Sequence, residues 1–117
     1  MPGAGFTLSK EERISSKKDI ASLLAGGRWF SAGVLKACAA PNGLEFSRIL
    51  VSVPKRLFKR AVKRNLLKRR IRESYRLQKA LTGGACVDIL FQYNDPQVTE
   101  FDVIREDVAA ILKKFAK

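Results

Sequence analysis

Residues 60–84 read RAVKRNLLKRRIRESYRLQKALTGG. No Gly or Pro interrupts residues 60–81, long unbranched side chains dominate, and Gly83 and Gly84 follow, so the stretch predicts one long helix with a firm stop. The helix has two unlike faces. Leu67, Ile71, Ser74, Tyr75 and Gln78 recur at helical spacing and form a mostly apolar stripe that should lie on a sheet. Asn65, Arg69, Arg72 and Arg76 share the roughly opposite face, with Lys68 at its border. Solvated helix faces usually mix Glu with Lys for mutual support. This one lacks the acids.

The helix is flanked by strand-like runs. Residues 46–53 (FSRILVSV) precede it and stop at Pro54, which cannot donate to a ladder; residues 85–93 (ACVDILFQY) follow it and end at Asn94, Asp95 and Pro96. Further upstream, residues 29–40 read as a strand. Pro41, Asn42 and Gly43 then supply a turn, so this strand and 46–53 are expected to pair as a hairpin. Residues 16–25 predict a short helix capped by Ser15 or Ser16, with Ile20, Leu23 and Leu24 as its stripe and Gly26 and Gly27 after it. Residues 99–115 predict a last helix with Phe101, Ile104, Val108, Ile111, Leu112 and Phe115 on one face. The expected fold class is α+β: a single-domain α-β-β-α-β-α sandwich over residues 1–117, a small sheet packed against helices, with residues 1–9 a flexible N-terminus.

The charge is concentrated. The chain of 117 residues carries 23 Lys and Arg against 11 Asp and Glu, a net charge of +12. Residues 55–79 hold twelve of the basic residues and one acid, Glu73, leaving the remainder close to neutral. Such a segment calls for a polyanionic partner. Arginines can grip phosphates through two parallel hydrogen bonds. Asn65 among them can both donate and accept, which suits a sugar, base or phosphate contact; an inert helix-surface residue is the alternative.

Composition also narrows the chemistry. The chain has no His, which removes the commonest general base and metal ligand. Cys38 and Cys86 are too few for a zinc site and read as buried thiols, with a redox role as the alternative. The carboxylates are scattered, so no protein catalytic residue and no protein metal site is expected. No apolar run reaches the roughly 20 residues of a membrane span, and the N-terminal stretch has no signal-like segment, so a soluble, cytoplasmic protein is expected.

Arg64-Asn65-Leu66-Leu67-Lys68-Arg69-Arg70-Ile71-Arg72-Glu73 resembles the signature R-N-x-x-K-R-x-x-R-E of the bacterial ribonuclease P protein subunit. Lys59, Arg60, Ala61, Val62 and Lys63 resemble the segment that precedes it. Lys55 and Arg56, and the early Lys10-Glu11-Glu12-Arg13-Ile14 with Lys17-Lys18-Asp19, also fit. The resemblance implies a left-handed β-α-β crossover and pairing with a large catalytic RNA. It implies joint removal of the 5′ leader from precursor tRNA, with chemistry carried by the RNA and Mg2+ that the RNA mainly holds. It implies no membrane partner and no small-molecule substrate. The RNA-binding set is then expected to be Lys55, Arg56, Lys59, Arg60, Lys63, Arg64, Asn65, Lys68, Arg69, Arg72 and Arg76. The family also holds the single-stranded leader between the first helix and the sheet. Candidates for that cleft are Ile20, Leu24, Phe30, Lys36, Cys38, Arg48 and Ser52. Ile20, Leu24 and Cys38 stand where the family often has aromatics; Trp29 and Phe30 could replace them or could belong to the core.

A structural RNA-binding protein of ribosomal type would explain the charge equally well and the signature poorly. A DNA-binding regulator would be expected to show a zipper or a helix-turn-helix, and neither is legible. A protein-only nuclease fits worst, given the missing His and scattered acids.

Overall fold

The structure is a computed structural model and describes residues 10–115; the expectation for residues 1–9 lies outside them. A short 3-10 turn (Lys10–Glu12) leads into α1 (Lys17–Gly26). Then come β1 (Arg28–Ala32), β2 (Leu35–Pro41), β3 (Arg48–Ser52), α2 (Ala61–Gln78), a 3-10 turn (Lys79–Thr82), β4 (Val87–Tyr93) and α3 (Phe101–Lys113). The fold is α+β, and the strands form one mixed sheet in the order β1-β2-β4-β3.

Two expectations are corrected here. The run 29–40 is two strands, because Gly33 and Val34 make a tight turn that pairs Ala32 with Leu35. Gly33 has φ +57°, and a Cβ there would lie 2.3 Å from the Asp107 carboxylate, which accepts the Val34 N–H at 3.0 Å. Any side chain would strain the backbone and displace that acceptor. The expected hairpin between 29–40 and 46–53 does not form. β4 lies between β2 and β3, antiparallel to the first and parallel to the second. The reason is burial: six of the seven β4 residues are buried, so the strand needs cover on both faces and both edges. The neighbouring strand in sequence loses to the more apolar one.

Ser16 caps α1 by accepting the Asp19 N–H at 3.4 Å. α2 begins at Arg60 without a side-chain cap. Its stripe behaves as its spacing predicts: Leu67, Ile71, Ser74 and Tyr75 are buried. With α3 it covers one sheet face, packing against Leu35, Ile49, Ile89 and Phe91 among others. Each such side chain contributes about 1.5–3 kcal/mol by burial. Gln78 donates to the carbonyls of Ser74 and Arg105, joining α2 to α3.

On the opposite face α1 covers a smaller cluster of Ile14, Leu23, Cys38 and Leu90. Close contact there depends on Gly27, where a Cβ would sit 2.4 Å from Cys38 Sγ. Ahead of α1, the Ile14 N–H donates to Ile49 O at 2.9 Å, so this segment shields the outer edge of β3. Lys79 and Glu12 pair at 2.9 Å and fasten it to the end of α2.

Candidate nucleic-acid interface

The helix face opposite the core carries the charge. Asn65 and Arg69 are exposed; Lys68, Arg72 and Arg76 are half-buried. Lys55, Arg56, Lys59, Arg60 and Lys63 are exposed before and around the start of α2. Within the described residues, Asn65, Lys68, Arg69 and Arg72 have no side-chain hydrogen bond or ion pair. Desolvation, and then the nearby Arg13 charge, hold the Arg72 pKa below its usual value. Crowded, partly dehydrated cations gain most from an incoming anion.

Two members of the expected set have other partners. Arg64 donates to the carbonyls of Phe58 and Lys59, both at 2.8 Å, so it fixes the loop that enters α2. Arg76 pairs with Glu73 three residues earlier; its hydrogen bond to that carboxylate is the main reason the Glu73 pKa is lowered. Arg70, outside the expected set, donates to Thr99 O and ties α2 to the segment before α3.

The sheet face under α1 forms a second surface. Register places Trp29, Cys38, Leu90 and Leu50 across it in one row, and Ser31, Lys36, Gln92 and Ser52 in the next. Leu23 covers the middle of the first row; the second stays open, with Ser31 and Lys36 exposed and Gln92 and Ser52 half-buried. Ile20 and Leu50 both pack against the cluster of Ile14, Leu23, Cys38 and Leu90, and Leu24, 45% exposed, lies one helical turn beyond Ile20. At the β1 edge Trp29 is 48% exposed. The result is a sheet face with an open polar row, aliphatic side chains of α1 on the same side and an indole at the β1 edge.

Of the expected cleft residues, Cys38 is enclosed beneath α1 and Phe30 lies on the far side of the sheet. Cys38 is 0% exposed, its thiol pointed at Leu23 O at 3.5 Å, and burial pushes its pKa up. Phe30 lies on the other face of the sheet, edge-on to Phe115 with ring centres 6.0 Å apart and Lys114 above it. Read as one continuous strand, 29–40 places Phe30, Lys36 and Cys38 on one face. The two-residue turn at Gly33 reverses the parity and brings Trp29 there instead. A correct placement of that turn would have found Trp29, and with it Ser31.

Arg48 is on the α1 side but engaged. It grips buried Asp88 through Nε at 2.9 Å and Nη2 at 2.6 Å, and reaches Asp19 of α1 at 3.2 Å through Nη1. Asn42 donates to the same Asp88 oxygen as Nε, at 2.9 Å. The hydrogen bond with Asp88 is the largest influence raising the Arg48 pKa. Arg48 is therefore a strut between the sheet and the first turn of α1.

Among the described residues no three His, Cys, Asp or Glu side chains converge as metal ligands. The exposed α2 face offers guanidinium and ammonium donors, which do not fit a divalent cation.

A small α+β scaffold with a cationic helix face has the electrostatic footprint of the nucleic-acid-binding class. The ribonuclease P family model matches residues 8–116, and the chain belongs to the bacterial ribonuclease P protein family. A ribonuclease P protein component from Porphyromonas gingivalis is 41% identical over 81 residues, covering 67% of this chain and 59% of that protein. The chain thus spans less than two-thirds of that relative's length. One from Borrelia hermsii is 35% identical over 111 residues, covering 90% of this chain and 96% of that protein. Among solved structures, the Staphylococcus aureus RNase P protein superposes with a TM-score of 0.77 at 25% identity, covering 88% of this chain and 94% of that one. The Thermotoga maritima RNase P protein shares the fold, with a TM-score of 0.79 at 23% identity over 91% of this chain and 99% of that one.

Proposed function

We propose that the chain is the protein subunit of a ribonuclease P ribonucleoprotein that removes the 5′ leader of precursor tRNA in the cytoplasm. The observation that carries this reading is the outward face of α2: Asn65, Lys68, Arg69 and Arg72 lie together, unengaged by other side chains of the described protein, within the family's own signature. That face binds the catalytic RNA. Lys55, Arg56, Lys59, Arg60 and Lys63 extend it across the start of the helix.

The cleft between α1 and the sheet binds the single-stranded leader. Trp29 supplies a stacking surface, Lys36 a phosphate partner, and Ser31, Ser52 and Gln92 hydrogen-bonding groups. Base stacking on an aromatic tolerates any sequence, as a leader site requires. The RNA holds Mg2+ and carries the cleavage. The protein positions the substrate and neutralises phosphates, which lowers the magnesium needed for activity. No membrane or small-molecule substrate enters the scheme.

Reconstitution with a catalytic RNA and a precursor tRNA, with magnesium titrated, tests this. The protein should raise the rate of 5′ cleavage most at low magnesium. Neutralising about six phosphates should make the log-log salt slope of catalytic-RNA affinity roughly −4 to −5. A flat slope and no effect on cleavage would contradict the reading.

A further inference from the structure

Beside the first turn of α2 lies a cavity of about 510 Å3; its cationic side belongs to the catalytic-RNA surface, and its other wall lies outside both RNA surfaces described above. One wall is the loop entering α2, with Leu57, Lys59, Arg60 and Lys63. The other is the segment joining β4 to α3, with Gln97 and Val98. Its volume lies within the range of about 300–1,000 Å3 usual for small-ligand sites.

Both walls are held in place. Arg64 occupies the carbonyls of Phe58 and Lys59, and Leu57 N donates to Pro54 O at 3.1 Å. Opposite, the Tyr93 hydroxyl bonds Gln97 O and Thr99 Oγ1, Arg70 takes Thr99 O, and Gln97 N donates to Asp95 at 3.0 Å. Three cations and no acid line the cavity. Within the described residues Lys59, Arg60 and Lys63 have no ion pair. Val98, 38% exposed, and half-buried Leu57 add apolar surface to the lining.

Cations and aliphatic groups lining one cavity match a nucleotide, which has an anionic phosphate and a base with two apolar faces. We propose that an unstacked nucleotide of the catalytic RNA seats in this cavity, its phosphate on Lys59, Arg60 and Lys63 and its base against Val98 and Leu57. The proposal rests on the reading of α2 as the catalytic-RNA face. It assigns the nucleotide to that RNA because the cavity adjoins α2, on the sheet face opposite the leader cleft. It gives the β4–α3 segment a binding role that the basic residues alone do not suggest.

The test compares Val98→Glu with Val103→Glu. Both put the same charge on an exposed valine, but Val103, 44% exposed on α3, does not line the cavity. Affinity for the catalytic RNA alone is measured at fixed salt, without precursor tRNA, after both variants are shown to melt like the parent. Val98→Glu should weaken binding about tenfold, through repulsion and loss of the apolar wall, and Val103→Glu within about twofold. Val98→Leu, which keeps the wall apolar, should bind like the parent. Equal losses in the two Glu variants would overturn the proposal. So would a Val98→Glu loss confined to complexes containing precursor tRNA, which would give the cavity to the leader. Failure of the parent protein to bind the catalytic RNA at all would instead sink the functional reading beneath it.

Discussion

The outward face of α2 and the open face of the sheet are both surfaces for RNA in this account, yet they are built differently. The first comes from one element: helical period alone sets Asn65, Arg69 and Arg72 side by side, and the arginine charges draw an anion. The second comes from four strands and a helix. Trp29, Lys36, Gln92 and Ser52 meet only because β4 enters between β2 and β3 and because β1 turns back at Gly33. A surface made by one helix tolerates errors of topology, whereas a surface made by strand register depends on every turn upstream.

Adjacent residues on β1 offer the sharpest way to break the comparison. Trp29→Ala should remove about 1–3 kcal/mol of leader-dependent precursor tRNA affinity, with little change in melting temperature. Phe30→Ala should do the reverse, costing about 2 kcal/mol of stability through lost packing against Phe115 and leaving leader affinity per folded molecule intact. Thermal melts together with binding of substrates with long and short leaders distinguish the two. If Phe30→Ala has the binding defect, the assignment of faces is inverted.

On the helix, Arg69→Ala should weaken catalytic-RNA binding about tenfold and reduce the salt slope by about one, with no dependence on leader length. The exposed position predicts an unchanged fold; an unfolded variant would mean that the helix is wrongly faced.

A smaller effect is expected from the strut. Asp19→Ala frees α1 from Arg48 but leaves the Arg48–Asp88 pair in place. The cleft should loosen, with leader-dependent affinity falling about threefold and catalytic-RNA affinity unchanged, in keeping with the modest strength of a partly exposed ion pair. Equal losses in both affinities would show that the strut does not act on the cleft alone. Least of all, brief alkylation should modify half-buried Cys86 well before Cys38, whose thiol is enclosed and held protonated by burial. Mass spectrometry of the peptides reads the order, and early modification of Cys38 would contradict its place beneath α1.

The same contrast governs what could be read without coordinates. α2, its buried stripe and its cationic face follow from period and charge, which are local. The three helices were legible for that reason, as was the central helix-flanking pair of strands. Sheet order was not. Pro41-Asn42-Gly43 is a sound turn signal, but the strand after it pairs with β4, because burial of ACVDILFQY on both faces outweighs closure of a short loop. Gly33 lies in an apolar run beside β-branched Val34, so the turn that sets the parity of β1 was hidden, and Phe30 took the place of Trp29. Arg48 could not be recognised as a strut, because its carboxylate partners lie 29 and 40 positions away in sequence.

The central claim is that the two surfaces serve different RNAs. It is tested most directly by measuring Trp29→Ala and Arg69→Ala each in two assays: binding of the catalytic RNA by the protein alone, and binding of precursor tRNA by the assembled particle. The account predicts that Arg69→Ala weakens the first constant and Trp29→Ala only the second, through the leader. If Trp29→Ala weakens catalytic-RNA binding as much as Arg69→Ala does, the two faces form one surface and the account is wrong.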